Sequence, residues 1–215
     1  MVSAGLEILG LSMCVIGSLL VMMACGLPMW KVTAFIEANI VVAQTIWDGL
    51  WMTCVVQSTG QMQCKVHDSV LALSHDLQAA RALTVIASVM GVLGLMVVIA
   101  GAQCTNCIRN ESIKARVVNA GGVIYIISGL FVLVPISWMA NNIITDFYNP
   151  QLLPSQKREI GAALYIGWAA VALLLIGGSL LCCSCPSGGS SGYSVKYAPT
   201  KRAAQNGDYD KRNYV

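Results

Sequence analysis

Four long stretches of the chain carry no Asp, Glu, Lys or Arg: residues 8–27, 82–102, 117–140 and 161–183. A hydrocarbon layer of roughly 30 Å needs about 20 apolar residues per helix, and each stretch meets that length. Helices of a water-soluble core are shorter and keep a polar stripe. The pattern therefore predicts four membrane-spanning helices. The first run exceeds a signal-peptide core and follows Glu7 rather than a basic head, so it is expected to be retained as a span. Pro135 lies inside the third run, where it either bends the helix or ends it near Val134. Apolar residues continue beyond it, which favours a bent span.

Between the runs the periodicity changes. The segment 28–81 reads as strands: 40–46 is rich in β-branched residues, and 51–57 and 61–66 flank the turn Ser58-Thr59-Gly60. With the turn centred on Thr59, Cys54 faces Cys64 and Thr53 faces Lys65. The same register puts Met52, Cys54, Val56, Met62, Cys64 and Val66 on one apolar face. Thr53, Val55, Gln57, Gln61, Gln63 and Lys65 then occupy the other, mostly polar face. The expected class is thus a membrane protein, mainly α with a small β-sheet, in which a four-helix bundle carries an antiparallel sheet.

Composition adds the solvent and the orientation. Of 215 residues, 56% are hydrophobic and only 11% charged, against about a quarter charged in soluble domains. Arg109, Lys114, Arg116, Lys196, Lys201, Arg202, Lys211 and Arg212 lie in segments 103–116 and 184–215. The longer outer segments 28–81 and 141–160 hold Lys31, Lys65, Arg81, Lys157 and Arg158. The positive-inside rule places the head 1–7, the loop 103–116 and the tail 184–215 in the cytoplasm. The tail is rich in Gly, Ser and Lys and is expected to be disordered. No basic patch interleaves with aromatics, so nucleic acid is not an expected partner.

The cysteines sort by compartment. Cys54 and Cys64 fall outside, in an oxidising space, at a spacing and register that suit a disulfide. Cys104 and Cys107 form a CxxC at the cytoplasmic end of a span, and Cys182, Cys183 and Cys185 end the last span. Juxtamembrane placement favours S-acylation there over redox or zinc chemistry; Cys104, Cys107, Cys182 and Cys183 are the candidate sites. Asn110-Glu111-Ser112 is a glycosylation sequon on the cytoplasmic side, so it is expected to stay unmodified. His67 and His75 have no nucleophile or paired base at a recognisable spacing and read as solvated. The four runs hold no ionisable Asp, Glu, Lys or Arg, which argues against a transporter. No enzyme, metal or cofactor is expected.

Trp30, Gly49-Leu50-Trp51, Cys54, Cys64 and Arg81, set in the first outer segment of a four-span chain, resemble the signature of the claudin family. Within that family the texture is similar to the three/four group, notably over residues 54–64 and 78–83. The resemblance implies a left-handed bundle under a sheet with four strands from the first outer segment and one from the second. It implies polymerisation with other claudins, in the same membrane and across apposed membranes, into tight-junction strands that seal the paracellular space or conduct selected ions. Trp30, Gly49, Leu50 and Trp51 would anchor sheet to bundle. Lys65 matches a charge-selectivity position, with the alternative of a solvated surface lysine; Lys31 would contribute less, and Glu37, Asp48 and Asp68 would dilute the field. Val70 in the segment 70–73 resembles a lateral contact, with Phe147 and Tyr148 as its receiving aromatics. Asn149-Pro150-Gln151-Leu152-Leu153 is similar to the turn of claudins that bind a clostridial enterotoxin, except at Gln151. Tyr214 and Val215 resemble a PDZ-binding end, implying scaffolds of the zonula occludens type. The competing reading is an auxiliary subunit of an ion channel from the wider superfamily.

Overall fold

The structure, a computed structural model, describes residues 2–33, 45–57, 60–67, 74–101, 111–152 and 157–184. Four helices dominate it: α1 (Val2–Gly26), α2 (His75–Gly101), α3 (Glu111–Tyr148) and α4 (Ala162–Cys183). All four are long and apolar enough to cross a membrane. Three of them, α1, α2 and α3, outrun the apolar stretches that announce them. Helix α2 begins at His75 rather than Ala82, with Asp76 in its first turn, where a carboxylate is favoured by the helix dipole. Helix α3 continues through Pro135 to Tyr148, so the proline does not end it. Its 38 residues make a rod about 57 Å long, nearly twice a hydrocarbon layer of about 30 Å. The first part of the expected outer segment 141–160 is therefore a helical post standing on the bundle.

Helix α1 packs on α4, α4 on α3 and α3 on α2, with a thinner contact between α1 and α2. In lipid the helices gain little from excluding water, so close packing has to hold them. Small residues make that possible. A Cβ on Gly177 would lie 2.7 Å from Cys14 Sγ and 2.9 Å from the Gly10 carbonyl oxygen. One on Gly178 would lie 2.9 Å from the Gly122 carbonyl oxygen. Tyr125, Ile136, Leu164 and Leu174 fill the space between the helices. Two buried hydroxyls are satisfied within the bundle: Thr84 donates to the Ala80 carbonyl at 2.7 Å, and Ser128 of α3 donates across to Ala87 of α2 at 2.9 Å.

Five short strands form one antiparallel sheet in the order β4-β3-β2-β1-β5: β1 (Lys31–Thr33), β2 (Thr45–Asp48), β3 (Met52–Val56), β4 (Met62–Val66) and β5 (Arg158–Ile160). Four come from the first outer segment and one from the second. The β3–β4 hairpin has the register read from its turn, with Cys54 opposite Cys64 and Thr53 opposite Lys65. Gly60 supplies a positive φ of 78°, the left-handed conformation that a tight hairpin needs and glycine tolerates. Of the strand expected at 40–46, residues 45 and 46 lie in β2, which runs on to Asp48; residues 40–44 lie outside the described residues. The apolar hairpin face is only partly covered: Cys54 is fully buried, whereas Met62 and Val66 are 47% and 65% exposed.

Candidate functional site: the sheet and its seat on the bundle

The seat is built from the chain's turn out of α1. Trp30 is fully buried, and its indole N–H donates to the Ala24 carbonyl at 2.8 Å. That oxygen is one of the last carbonyls of α1, which have no partner within the helix. The Trp30 carbonyl accepts from Gly161 N–H and the Met29 carbonyl from Ala163 N–H, each at 3.0 Å. Those donors open α4, so one two-residue segment caps both helices. Two glycines let neighbouring backbones reach it. A Cβ on Gly49 would lie 2.3 Å from Pro28 Cα, and one on Gly161 would lie 1.9 Å from the Met29 carbonyl oxygen.

Leu50 is fully buried beside this turn, and its carbonyl accepts a hydrogen bond from Arg81 Nε at the start of the second apolar run. The guanidinium lies over the Trp51 ring, 5.0 Å from its centre, a cation–π contact. Its Nη2 is buried without a hydrogen-bond partner among the described residues. His67 is half-buried rather than solvated. Its N–H donates to the Trp51 carbonyl at 3.2 Å, and its ring nitrogen lies 3.4 Å from the Gly49 carbonyl oxygen. His75 is exposed at the head of α2.

Opposed residues of an antiparallel pair point to the same side of a sheet. The registers therefore carry one row across all five strands: Lys65, Thr53, Asp48, Lys31, Ile160. Alternation adds Gln63, Val55, Thr33 and Arg158 to that face. Cys54, Cys64, Trp47, Val32 and Glu159 occupy the other. Among the described strand residues, one face thus carries Lys31, Lys65, Arg158 and Asp48, while the second outer segment's Glu159 points away. The disulfide between Cys54 and Cys64 bridges β3 and β4 behind the Lys65 row.

Sequence reasoning missed a polar lock on this face. Arg158 Nη1 donates to Thr33 Oγ1 at 2.7 Å, and Nη2 lies 3.5 Å from Asp48 Oδ2. Thr33 Oγ1 also accepts from Ile46 N–H at 3.0 Å and donates to the Ile46 carbonyl at 3.2 Å, which saturates the hydroxyl. Asp48 is consequently paired and does not act as an unopposed acid. The only signal in the sequence was opposite charge, and a separation of more than a hundred positions hides such a pairing.

The remaining sites are dispersed. Phe147 and Tyr148 end α3 with rings edge to face at 5.5 Å; Tyr148 is 78% exposed, and Lys157 Nζ lies 5.4 Å from the Phe147 ring centre. Val70, their expected counterpart, lies outside the described residues. Asn149 Oδ1 accepts from Gln151 N–H at 3.0 Å and sets the turn that follows; Gln151 itself is exposed. At the other end of the bundle Cys183 is exposed, whereas Cys182 is half-buried and turned toward the Asn119 carbonyl at 3.8 Å. Cys104, Cys107, Tyr214 and Val215 lie outside the described residues.

The family model described as PMP-22/EMP/MP20/Claudin matches residues 4–181. The chain belongs to this family. Claudin-4 of Homo sapiens is 57% identical over 204 residues, covering 95% of this chain and 98% of the relative. Claudin-6 of Homo sapiens is 56% identical over 220 residues, covering all of both chains. Claudin-5 of Homo sapiens is 57% identical over 216 residues, covering 99% of each. The four apolar helices, the five-stranded sheet and these relatives make the chain a multi-pass membrane protein of the claudin family, a family of the tight junction.

Proposed function

We propose that this claudin-family chain polymerises within and between apposed membranes, and that the charged face of its sheet lines a paracellular path selective for small anions. The observation that carries the reading is the Lys65 row. The registers put Lys65, Lys31 and Arg158 on one face against a single acid, Asp48, among the described strand residues. Positive charge on the wall of a narrow aqueous path repels cations and admits anions. Lys65 lies in the exposed edge strand β4, where it can face such a path. The sheet end of the bundle is extracellular in this reading and both chain ends are cytoplasmic, which follows from the placement of Lys and Arg. Phe147 and Tyr148 serve contact between neighbouring copies, and Tyr214 and Val215 engage a PDZ scaffold.

The test is an epithelial monolayer expressing the protein in place of its own claudins. Lys65→Asp should invert the preference from chloride toward sodium. An unchanged permeability ratio in junctions that still contain the variant would remove Lys65 from the path. Freeze-fracture strands in cells that otherwise lack them support polymerisation; a changed channel current without strands would favour an auxiliary channel subunit instead.

A further inference from the structure

Asp48 occupies the centre of the face that carries Lys65. It pairs in register with Thr53 on one side, which itself opposes Lys65, and with Lys31 on the other. An unopposed carboxylate there would attract cations to the same water that Lys65 makes favourable to anions. The structure instead brings Arg158 from the second outer segment onto Asp48 at 3.5 Å, with both side chains only 26% exposed. The guanidinium is held there by Thr33, whose hydroxyl is fixed by both backbone groups of Ile46. Three strands, β1, β2 and β5, thus hold one cation against one acid.

Resting on the reading of this face as an ion-path wall, we propose that Arg158 is a positioning residue for charge selectivity, setting the field by neutralising Asp48. The face carries three cations and one acid among its described residues, a net +2. Arg158→Gln leaves Asp48 without its guanidinium partner and lowers the face to +1. Asp48→Asn releases the Arg158 charge and raises it to +3. The double variant Asp48→Asn with Arg158→Gln returns the face to +2 with Lys31 and Lys65 alone. Selectivity should follow that sequence even though Arg158 and Asp48 lie on different outer segments.

The experiment measures the chloride-to-sodium permeability ratio across monolayers expressing the full chain, with a neutral tracer as control for leak. Arg158→Gln should lower the ratio about two- to threefold, the effect of one unit charge several ångströms from an ion in water. Asp48→Asn should raise it by a similar factor. The double variant should return to the parent value, and Arg158→Lys should keep most of the parent preference. Recovery in the double variant is a readout that a purely structural role for Arg158 does not give, because that variant lacks the lock altogether. If Arg158→Gln does not reach the junction, Asp48→Asn and the double variant carry the test. A ratio unmoved by Arg158→Gln and Asp48→Asn, in monolayers where Lys65→Gln shifts it, overturns the role of Arg158 and leaves the path. A ratio unmoved by Lys65→Gln as well overturns the path itself, and this inference with it.

Discussion

Gly161 adopts ordinary extended geometry, φ −80° and ψ 163°, which any residue can take. What it cannot carry is a side chain: a Cβ would fall on the Met29 carbonyl oxygen, carbon and the next residue's carbon at 1.9, 2.6 and 2.9 Å. All three are backbone atoms, so no rotamer change relieves them. Gly161→Ala should destabilise the protein by about 3 kcal/mol, read as a lowered unfolding temperature in detergent. Gly26→Ala is the control, since nothing lies within 4 Å of its added Cβ. Equal stability of the two variants would mean that the Met29–Trp30 turn is free to move away. At this scale the sequence was partly legible. Trp30, Gly49 and Leu50 stood out by type and motif, whereas Gly161 looked like any glycine at the start of an apolar run. Its role depends on Met29, which only the fold brings beside it.

The β3–β4 hairpin was readable because one register satisfied three independent demands at once: a turn residue, a cysteine pair and alternating faces. Strands β1 and β5 have three residues each, too few to show alternation, and only their pairing defines them. The length of α3 was hidden for a different reason. Apolarity reports the solvent around a helix, and above the membrane that solvent becomes water. Residues past Ala140 turn polar while the backbone stays helical. The extension of α3 is tied to α2 by Asn142 Nδ2, which donates to Asp76 Oδ2 at 3.0 Å. Asp76 also lies in the first turn of α2, where its charge suits the helix dipole. Asn142→Ala should cost about 1.5–3 kcal/mol, the range for a hydrogen bond to a charged group. Asp76→Ala should cost somewhat more, because it also loses the dipole contribution. The double variant should cost less than the sum of the two, since both remove one bond. Additive losses in chemical unfolding would show that the two side chains do not act on each other.

At the scale of the whole molecule, the strands and the disulfide sit at one end of the bundle and Cys182 and Cys183 at the other. That polarity is geometric and does not say which end faces the cell interior. The decision rests on Lys and Arg, most of which lie in the loop 103–116 and the tail 184–215. The rule applies to such short flanking segments because they are retained on the cytoplasmic side during insertion. Two labels on the intact full chain check it. A cysteine placed at Gln63, exposed on β4, should react with a membrane-impermeant maleimide in intact cells. An epitope at either terminus should bind antibody only after the membrane is opened. The reverse pattern would place the sheet in the cytoplasm, where thiols are kept reduced and a Cys54–Cys64 disulfide would not be maintained. The disulfide is thus a second, chemical test of the same orientation. Non-reducing electrophoresis of protein from intact cells should show the oxidised form. Exchanging either cysteine should abolish its mobility difference from the reduced form. Oxidised pair and accessible Gln63 position must fall on the same side of the membrane, because β3 and β4 are one hairpin.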